Sequence, residues 1–308
     1  MSIKMKKIYT IFSLPAICMI VIVSCTTNDS ITSEIEEPIY NVDDNVKDVI
    51  QHEKYILYNK YKTYLITNPL TRDYKFNFQR KNNLKITAPV QSTEVLQAGI
   101  NLLHETFLDI YSEDFKKKNM PFSILLADSI LFLGQETGTP YYHAYVSQRF
   151  IALGGVRSNM LYTDSIKQII RGDINSRFWI DYMNGVKELF SIPEEFADVS
   201  KSYYRKDVTS IPELGDVAGK QPYEIDYYQL GFVNYNAAAT FYDKEYKEWW
   251  IEVPDEETDK RQWVAFCFNT PKTQRDAIIT KYPKMKQKYL LLKRAFANCE
   301  GFDIDRLP

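Results

Sequence analysis

The chain has 308 residues, a formal net charge of −2 and only three histidines. The near-neutral charge argues against a nucleic-acid partner, because no basic excess exists to displace phosphate counterions. The 23 Tyr and 17 Phe are high counts, a bias shared by exported proteins that bind glycans or peptides and by ordinary cores and sheet faces.

Lys4, Lys6 and Lys7 make a short positive start, and residues 8–24 carry no charge. That apolar run suits the hydrophobic region of a secretory signal and falls short of the roughly 20 residues a membrane span needs. It ends in Ile22-Val23-Ser24-Cys25, the pattern of a lipobox: an aliphatic residue, a small residue before the cut, then cysteine. The expectation is a lipoprotein signal peptide over 1–24 and acylation of Cys25, with two kinds of lipid chain anchoring the product to the membrane. The competing reading is an uncleaved anchor helix, against which Pro15 and the polar residues after Cys25 both weigh. The location that follows is the bacterial cell envelope, at the outer membrane.

Residues 25–45 are polar, acidic and without period, and read as a flexible tether. The spacing then predicts a helix over 46–67, ending before Asn68-Pro69, where a residue ahead of proline leaves the helical region. Alternation of Tyr74, Phe76, Phe78, Leu84 and Ile86 predicts a strand or hairpin. Ser92 can cap a helix over 93–111 whose core stripe is Leu96, Ile100, Leu103, Phe107 and Ile110. Short apolar runs at 121–128 and 149–153 read as buried strands. Residues 164–190 read as helix with a stripe of Phe178, Tyr182, Val186 and Leu189; 211–231 reads as loop, and 243–251 as helix again. Pro283 opens a last helix with Met285, Tyr289, Leu292, Phe296 and Cys299 on one face, stopped by Gly301. No internal repeat or second linker is visible, so 46–308 reads as one α+β domain.

Chemistry-bearing motifs are sparse. His104-Glu105 would open a zinc-helix motif, but that motif needs a second histidine four residues on, and Leu108 stands there. His104 therefore reads as a polar residue at the margin of a buried helix. His52 and His143 lie on other elements, so a three-histidine site would require unrelated segments to converge. No phosphate-binding glycine loop and no Gly-x-Ser-x-Gly elbow is present. Cys267 and Cys299 could form a disulfide outside the cytoplasm or be buried as separate thiols.

Several weak motifs in a fixed order carry a resemblance. Leu230-Gly-Phe-Val-Asn-Tyr-Asn-Ala-Ala-Ala followed by Asp243-Lys-Glu-Tyr-Lys-Glu248 resembles the LGFVS-x-YA…EDFAE block of a family of zinc-binding metallopeptidases, lipid-anchored bacterial proteins often found beside glycan-uptake systems. The strand at 121–128, the segments Pro193-Glu-Glu-Phe196 and Asp198-Val-Ser200, and the closing Phe302-Asp-Ile-Asp-Arg-Leu307 resemble further blocks of it, so the similarity spans 46–308. The resemblance implies a zincin-like scaffold. It puts the zinc helix near 180–184, where Asp181 stands for the general base and Asn184 for a ligand, and puts a third, acidic ligand at Glu248.

Both imidazoles are missing, since no histidine follows His143. Oxygen donors so few and so weak do not hold zinc as three strong ligands do, nor acidify its water. No metal or other cofactor is therefore expected. What remains is an inactive, metallopeptidase-like binding or accessory module taking a peptide or a glycan. The rival enzyme reading is a hydrolase rebuilt around Asp181, Glu248 or Glu245; a third reading is a structural envelope lipoprotein. In the zincin arrangement Asp181 or Asn184 should approach Glu248.

Overall fold

The computed structural model describes residues 40–75, 83–132, 143–158 and 162–307. The expected signal segment, Cys25 and the expected tether as far as residue 39 lie outside the described residues, as do Phe76 and Phe78. Residues 40–45, expected in the tether, are held against the body. The Tyr40 hydroxyl donates to Asp73 Oδ1 at 2.5 Å, and Gln51 Nε2 donates to the carbonyls of Asn41 and Asp43.

Helix α1 (Val49–Tyr61) starts on Asp48, whose carboxylate accepts from the Ile50 and Gln51 N–H groups. It stops six residues before the expected end. Lys62 turns left-handed (φ 58°), and the chain enters strand β1 (Tyr64–Ile66). Buried β-branched and aromatic residues suit a pleated surface better than a helix, and Thr63 fixes the change by donating to the Pro121 carbonyl at 2.8 Å. After the one-turn helix α2 (Thr71–Tyr74) comes β2 (Leu84–Thr87), which alternates buried and exposed as expected. Its partner is distant in sequence, not the adjacent arm of a hairpin.

Ser92 Oγ accepts from the Val95 N–H and caps α3 (Thr93–Thr106) as predicted, and Leu96, Ile100, Leu103 and Phe107 are all buried. A short helix α4 (Glu113–Asn119) leads to β3 (Ser123–Leu126), then β4 (Ser129–Phe132), β5 (Ala144–Val146) and β6 (Phe150–Leu153). The main sheet has the order β1-β3-β6-β5: β1, β3 and β6 run parallel, and β5 runs antiparallel to β6. β4 pairs antiparallel with β2. Because side chains alternate along a strand, Leu65, Ile124, Leu126, Ile151 and Leu153 face the helices. Ile66, Leu125, Phe150 and Ala152 face the β2–β4 pair. Burial on both faces explains why β3 and β6 are continuous apolar runs.

Helix α5 (Asp164–Arg177) passes directly into a π-helical turn, Phe178–Asn184. The predicted stripe holds for Phe178 and Tyr182 but not for Val186 and Leu189, which are 36% and 49% exposed, because the helix has ended at Asn184. Residues 211–231 form short 3-10 turns around their own small core, which includes Ile211, Leu230 and Phe232.

The helix expected over 243–251 is a β-hairpin, β7 (Phe241–Asp243) and β8 (Glu248–Trp250), after the one-turn helix α6 (Glu194–Asp198) and the loops. Lys247 at φ 57° closes its tip, and aromatic-rich arms favour strands over helix. Three helices finish the chain: α7 (Glu256–Asn269), α8 (Lys272–Lys281) and α9 (Pro283–Asn298). The stripe of α9 is buried as read, from Met285 to Cys299. Cys267 and Cys299 are separate buried thiols, which burial holds at pKa values of about 12 and about 11.

Candidate functional site

The place to which the resemblance assigns chemistry is the π-helical turn. It is built on the buried side by aromatic packing. Phe178 and Trp179 are fully buried; Tyr111 accepts from Trp179 Nε1 at 2.9 Å and donates to Asn175 Oδ1 at 2.6 Å. Asn175 donates in turn to the carbonyls of Thr106 and Arg171. Every polar group in this knot has a partner, so the turn is held firmly where an isolated π-helix would not persist. A π-turn is uncommon and is found frequently at functional sites. Its inner residues being fixed, Asp181 and Asn184 lie on the outer side, facing α7.

Helix α7 packs along α5 and supplies the other wall. The approach is close at Gly172, where a methyl group would meet the Asn269 side chain at 2.8 Å. Asp255 caps α7 through the Thr258 N–H, and Glu256, Glu257 and Asp259 enrich its first turn in negative charge. One turn further in, Arg261 reaches across. Its Nη2 and Nη1 donate to Asp181 Oδ1 and Oδ2 at 2.7 and 3.1 Å. Such a two-pronged guanidinium–carboxylate pair is directional and stronger than a single contact. Burial lowers the Arg261 pKa, but the bond to Asp181 and the charges of Asp181, Glu257 and Asp173 together outweigh it, and the net shift is upward.

Two cavities meet at this pair. One, of about 320 Å³, includes Asp173, Ser176, Gln262 and Asn269; the other, of about 570 Å³, includes Asp181, Asn184, Ser191 and Lys260. Glu257 and Arg261 line both, so together they form a charged groove along α7, walled by α5 at one end and by residues 180–192 at the other. Most of its charges are matched internally: Asp173 with Arg177 at 2.8 Å, and Glu256 with Lys260 at 2.5 Å. A third cavity of about 500 Å³ lies by the C-terminal segment and contains none of the predicted site residues.

The structure brings Asp181 and Asn184 into one groove and leaves Glu248 out of its lining. Glu248 is exposed on the hairpin, opposite Asp243, and Glu245 is exposed in the same hairpin's tip. Helix-on-helix packing of Asp181 against Glu248 does not occur, because 243–250 is not helical. The histidines are dispersed. His52 Nδ1 meets Asp44 at 2.7 Å, while His104 is held by Asp109 at Nδ1 and Glu53 at Nε2. Ala144 N–H beside His143 donates to Asp173 Oδ2. Among the described residues no three His, Cys, Asp or Glu side chains form a group suited to a metal ion. The donor set does not fit zinc, and a guanidinium holds the carboxylate that would serve it.

Arg261, the residue that decides the groove's chemistry, was missed by sequence reasoning, as was all of α7. The signal was present: Pro254, then the cap Asp255 and an acidic first turn, is a helix start.

No family model matches the chain, and no curated protein matches it. Among solved structures, the crystal structure of a "putative zinc-binding metallo-peptidase" from Bacteroides caccae ATCC 43185 aligns with TM-score 0.48 and 16% identity, over 86% of this chain and 91% of that one. The likeness is distant.

Proposed function

We propose that this chain is a metallopeptidase-like binding module of the bacterial envelope, lipid-anchored through Cys25, that works without zinc and without hydrolysis and receives a peptide in the groove along α7. The observation that carries this reading is the Asp181–Arg261 pair. A general base must direct an oxygen at the proton of its water or substrate, and both Asp181 oxygens are directed at the Arg261 guanidinium instead. The groove nevertheless offers amide, hydroxyl and paired charged groups: Asn184, Ser191, Gln262, Glu257 and Lys260. Such a lining suits main-chain N–H and C=O groups and mixed side-chain charge, which is peptide chemistry. The rebuilt-hydrolase reading lacks support from this geometry, since Glu248 and Glu245 stand elsewhere.

The test combines metal analysis with binding. Purified protein should carry no stoichiometric zinc, and chelator should leave its melting temperature unchanged, unlike a domain whose metal contributes to folding. Synthetic hexapeptides of differing net charge, titrated calorimetrically, should include binders whose affinity drops in Arg261→Met. Stoichiometric zinc, or cleavage of a fluorogenic peptide that disappears in Asp181→Asn, would establish the hydrolase instead.

A further inference from the structure

Exposed aromatic surface is concentrated away from the groove, on the β7–β8 hairpin. Phe241 is 54% exposed, Tyr246 71% and Trp250 50%. This is not for want of a core beneath. Trp249 turns inward against the small core containing Val208, Ile251 and Val253, edge-on to Tyr242. Rings left half in water forgo roughly half of the about 1.5–3 kcal/mol that full burial supplies.

The hairpin is held firmly at its base. Glu252 N–H donates to Thr240 Oγ1, its carbonyl accepts from Asn236 N–H at 2.8 Å, and it bridges to Asp207. Strand alternation then sends Phe241, Asp243, Glu248 and Trp250 to the outer face, with Phe241 opposite Trp250 and Asp243 opposite Glu248. The Phe241 and Trp250 rings are nearly parallel, 18° apart, with centroids 6.5 Å apart. That spacing is near the outer limit of about 7 Å for packed aromatic pairs, so the rings scarcely cover each other.

We propose that this outer face binds a neutral saccharide chain, whose pyranose C–H faces stack on Phe241 and Trp250 while Glu248 accepts hydrogen bonds from sugar hydroxyls. The details favour this occupant over others. The tip between the arms carries Asp243, Lys244, Glu245, Lys247 and Glu248, five charges that oppose insertion into hydrocarbon. A cage for a cation requires rings inclined around one point, whereas these are near-parallel and present an extended surface. Asp243 Oδ1 is occupied by the Glu245 and Tyr246 N–H groups, while Glu248 stands in solvent. A polyol supplies the donors such a carboxylate needs without carrying a charge of its own. The proposal is independent of the peptide groove.

The test uses the purified chain and four neutral probes, the hexasaccharides of cellulose, xylan, starch and laminarin, read by calorimetry and tryptophan fluorescence at millimolar concentration. At least one should bind. Trp250→Ala and Phe241→Ala should each weaken it, by up to about tenfold if one stacked ring is worth about 1.5 kcal/mol. Glu248→Gln should weaken it by about threefold, because a neutral amide oxygen accepts a hydrogen bond more weakly than a carboxylate. All three variants should keep the parental melting temperature, and Arg261→Met should bind the saccharide as the parent does. Absence of binding by every probe would overturn the proposal. So would an affinity left unchanged by Trp250→Ala, or binding that is lost in Arg261→Met. Attachment to anionic phospholipid vesicles that is abolished in Trp250→Ala, with no saccharide bound, would assign the face to a membrane instead.

Discussion

Replacing Lys288 by Met should be among the most destabilising single changes in this chain, and the loss should depend on pH. Lys288 on α9 and Asp259 on α7 are both fully buried, with Nζ 2.5 Å from Oδ2. Tyr204 donates to the same oxygen at 2.8 Å, and the rings of Phe196 and Phe232 lie within 4.8 Å of the ammonium. The pair thus joins the two helices and ties them to the loop that carries Tyr204. Methionine keeps most of the apolar stem and removes the charge, leaving Asp259 buried without a counter-ion. Breaking one side of a buried pair typically costs about 3–5 kcal/mol. The same size follows from Asp259 itself: forcing neutrality at pH 7 on a carboxyl whose unfolded pKa is about 3.9 costs about 4 kcal/mol. Burial already pushes Asp259 up to about 6 and Lys288 down to about 8. Between these values the parent ionises Asp259 while the variant keeps it protonated. The folded variant therefore binds one proton more than its own unfolded chain, whereas the parent binds equally many in both states, and the variant's deficit should grow by about 1.4 kcal/mol per pH unit from about pH 6 to about pH 8. Denaturant unfolding at three pH values measures this, and the melting temperature at neutral pH should fall by roughly 10 °C. Converting the pair to Lys288→Met with Asp259→Leu should recover most of the loss, since a packed apolar pair is often as stable as an ionic one. A single variant costing under about 1 kcal/mol, or a deficit that shrinks with rising pH, would refute the reasoning.

Three further outcomes are expected. Glu53, and then Asp109, hold the His104 pKa above its ordinary value despite partial burial. The stabilisation is complete below the unfolded pKa of about 6.5 and disappears as pH rises through the folded pKa. His104→Gln should thus flatten the pH dependence of the melting temperature above the unfolded pKa of about 6.5, and a proton NMR titration should show the raised midpoint in the parent. Cys267 and Cys299 should resist a thiol-directed reagent in the native protein and react on unfolding, as mapped by mass spectrometry, because both are buried and their pKa values are raised. Cys25→Ala should abolish incorporation of labelled palmitate and leave precursor unprocessed; a variant that still matures and fractionates with membranes would contradict lipidation at Cys25.

Much of the framework was legible in local sequence. Ser92 had its N-cap geometry written into the residues that follow it, and the α9 stripe was readable because it repeats at helical spacing through a full core-facing helix. The strands β3 and β6 were visible as short apolar runs for the same reason they are central: both faces are covered. Other elements depended on distant partners. The segment 63–66 could have continued α1, and it becomes a strand because β3 lies beside it and Pro121 takes the Thr63 hydroxyl. The 241–250 segment has aromatic residues spaced plausibly for a helix; the left-handed turn at Lys247 and the core under Trp249 make it a hairpin.

The candidate site divides in the same way. That no second imidazole stands beside His104, and that none follows His143, is fixed by the order of residues and excludes a histidine-based zinc helix in the second half. The fate of the carboxylates is not fixed locally. Asp181 could have served a metal, a substrate or a proton, and 80 residues separate it from the arginine that holds it. Only the close packing of α7 on α5, permitted at Gly172 by the absence of a side chain, brings Arg261 across the groove. Ion pairing is a matter of a few ångströms, and those ångströms are set by the buried apolar faces of two helices.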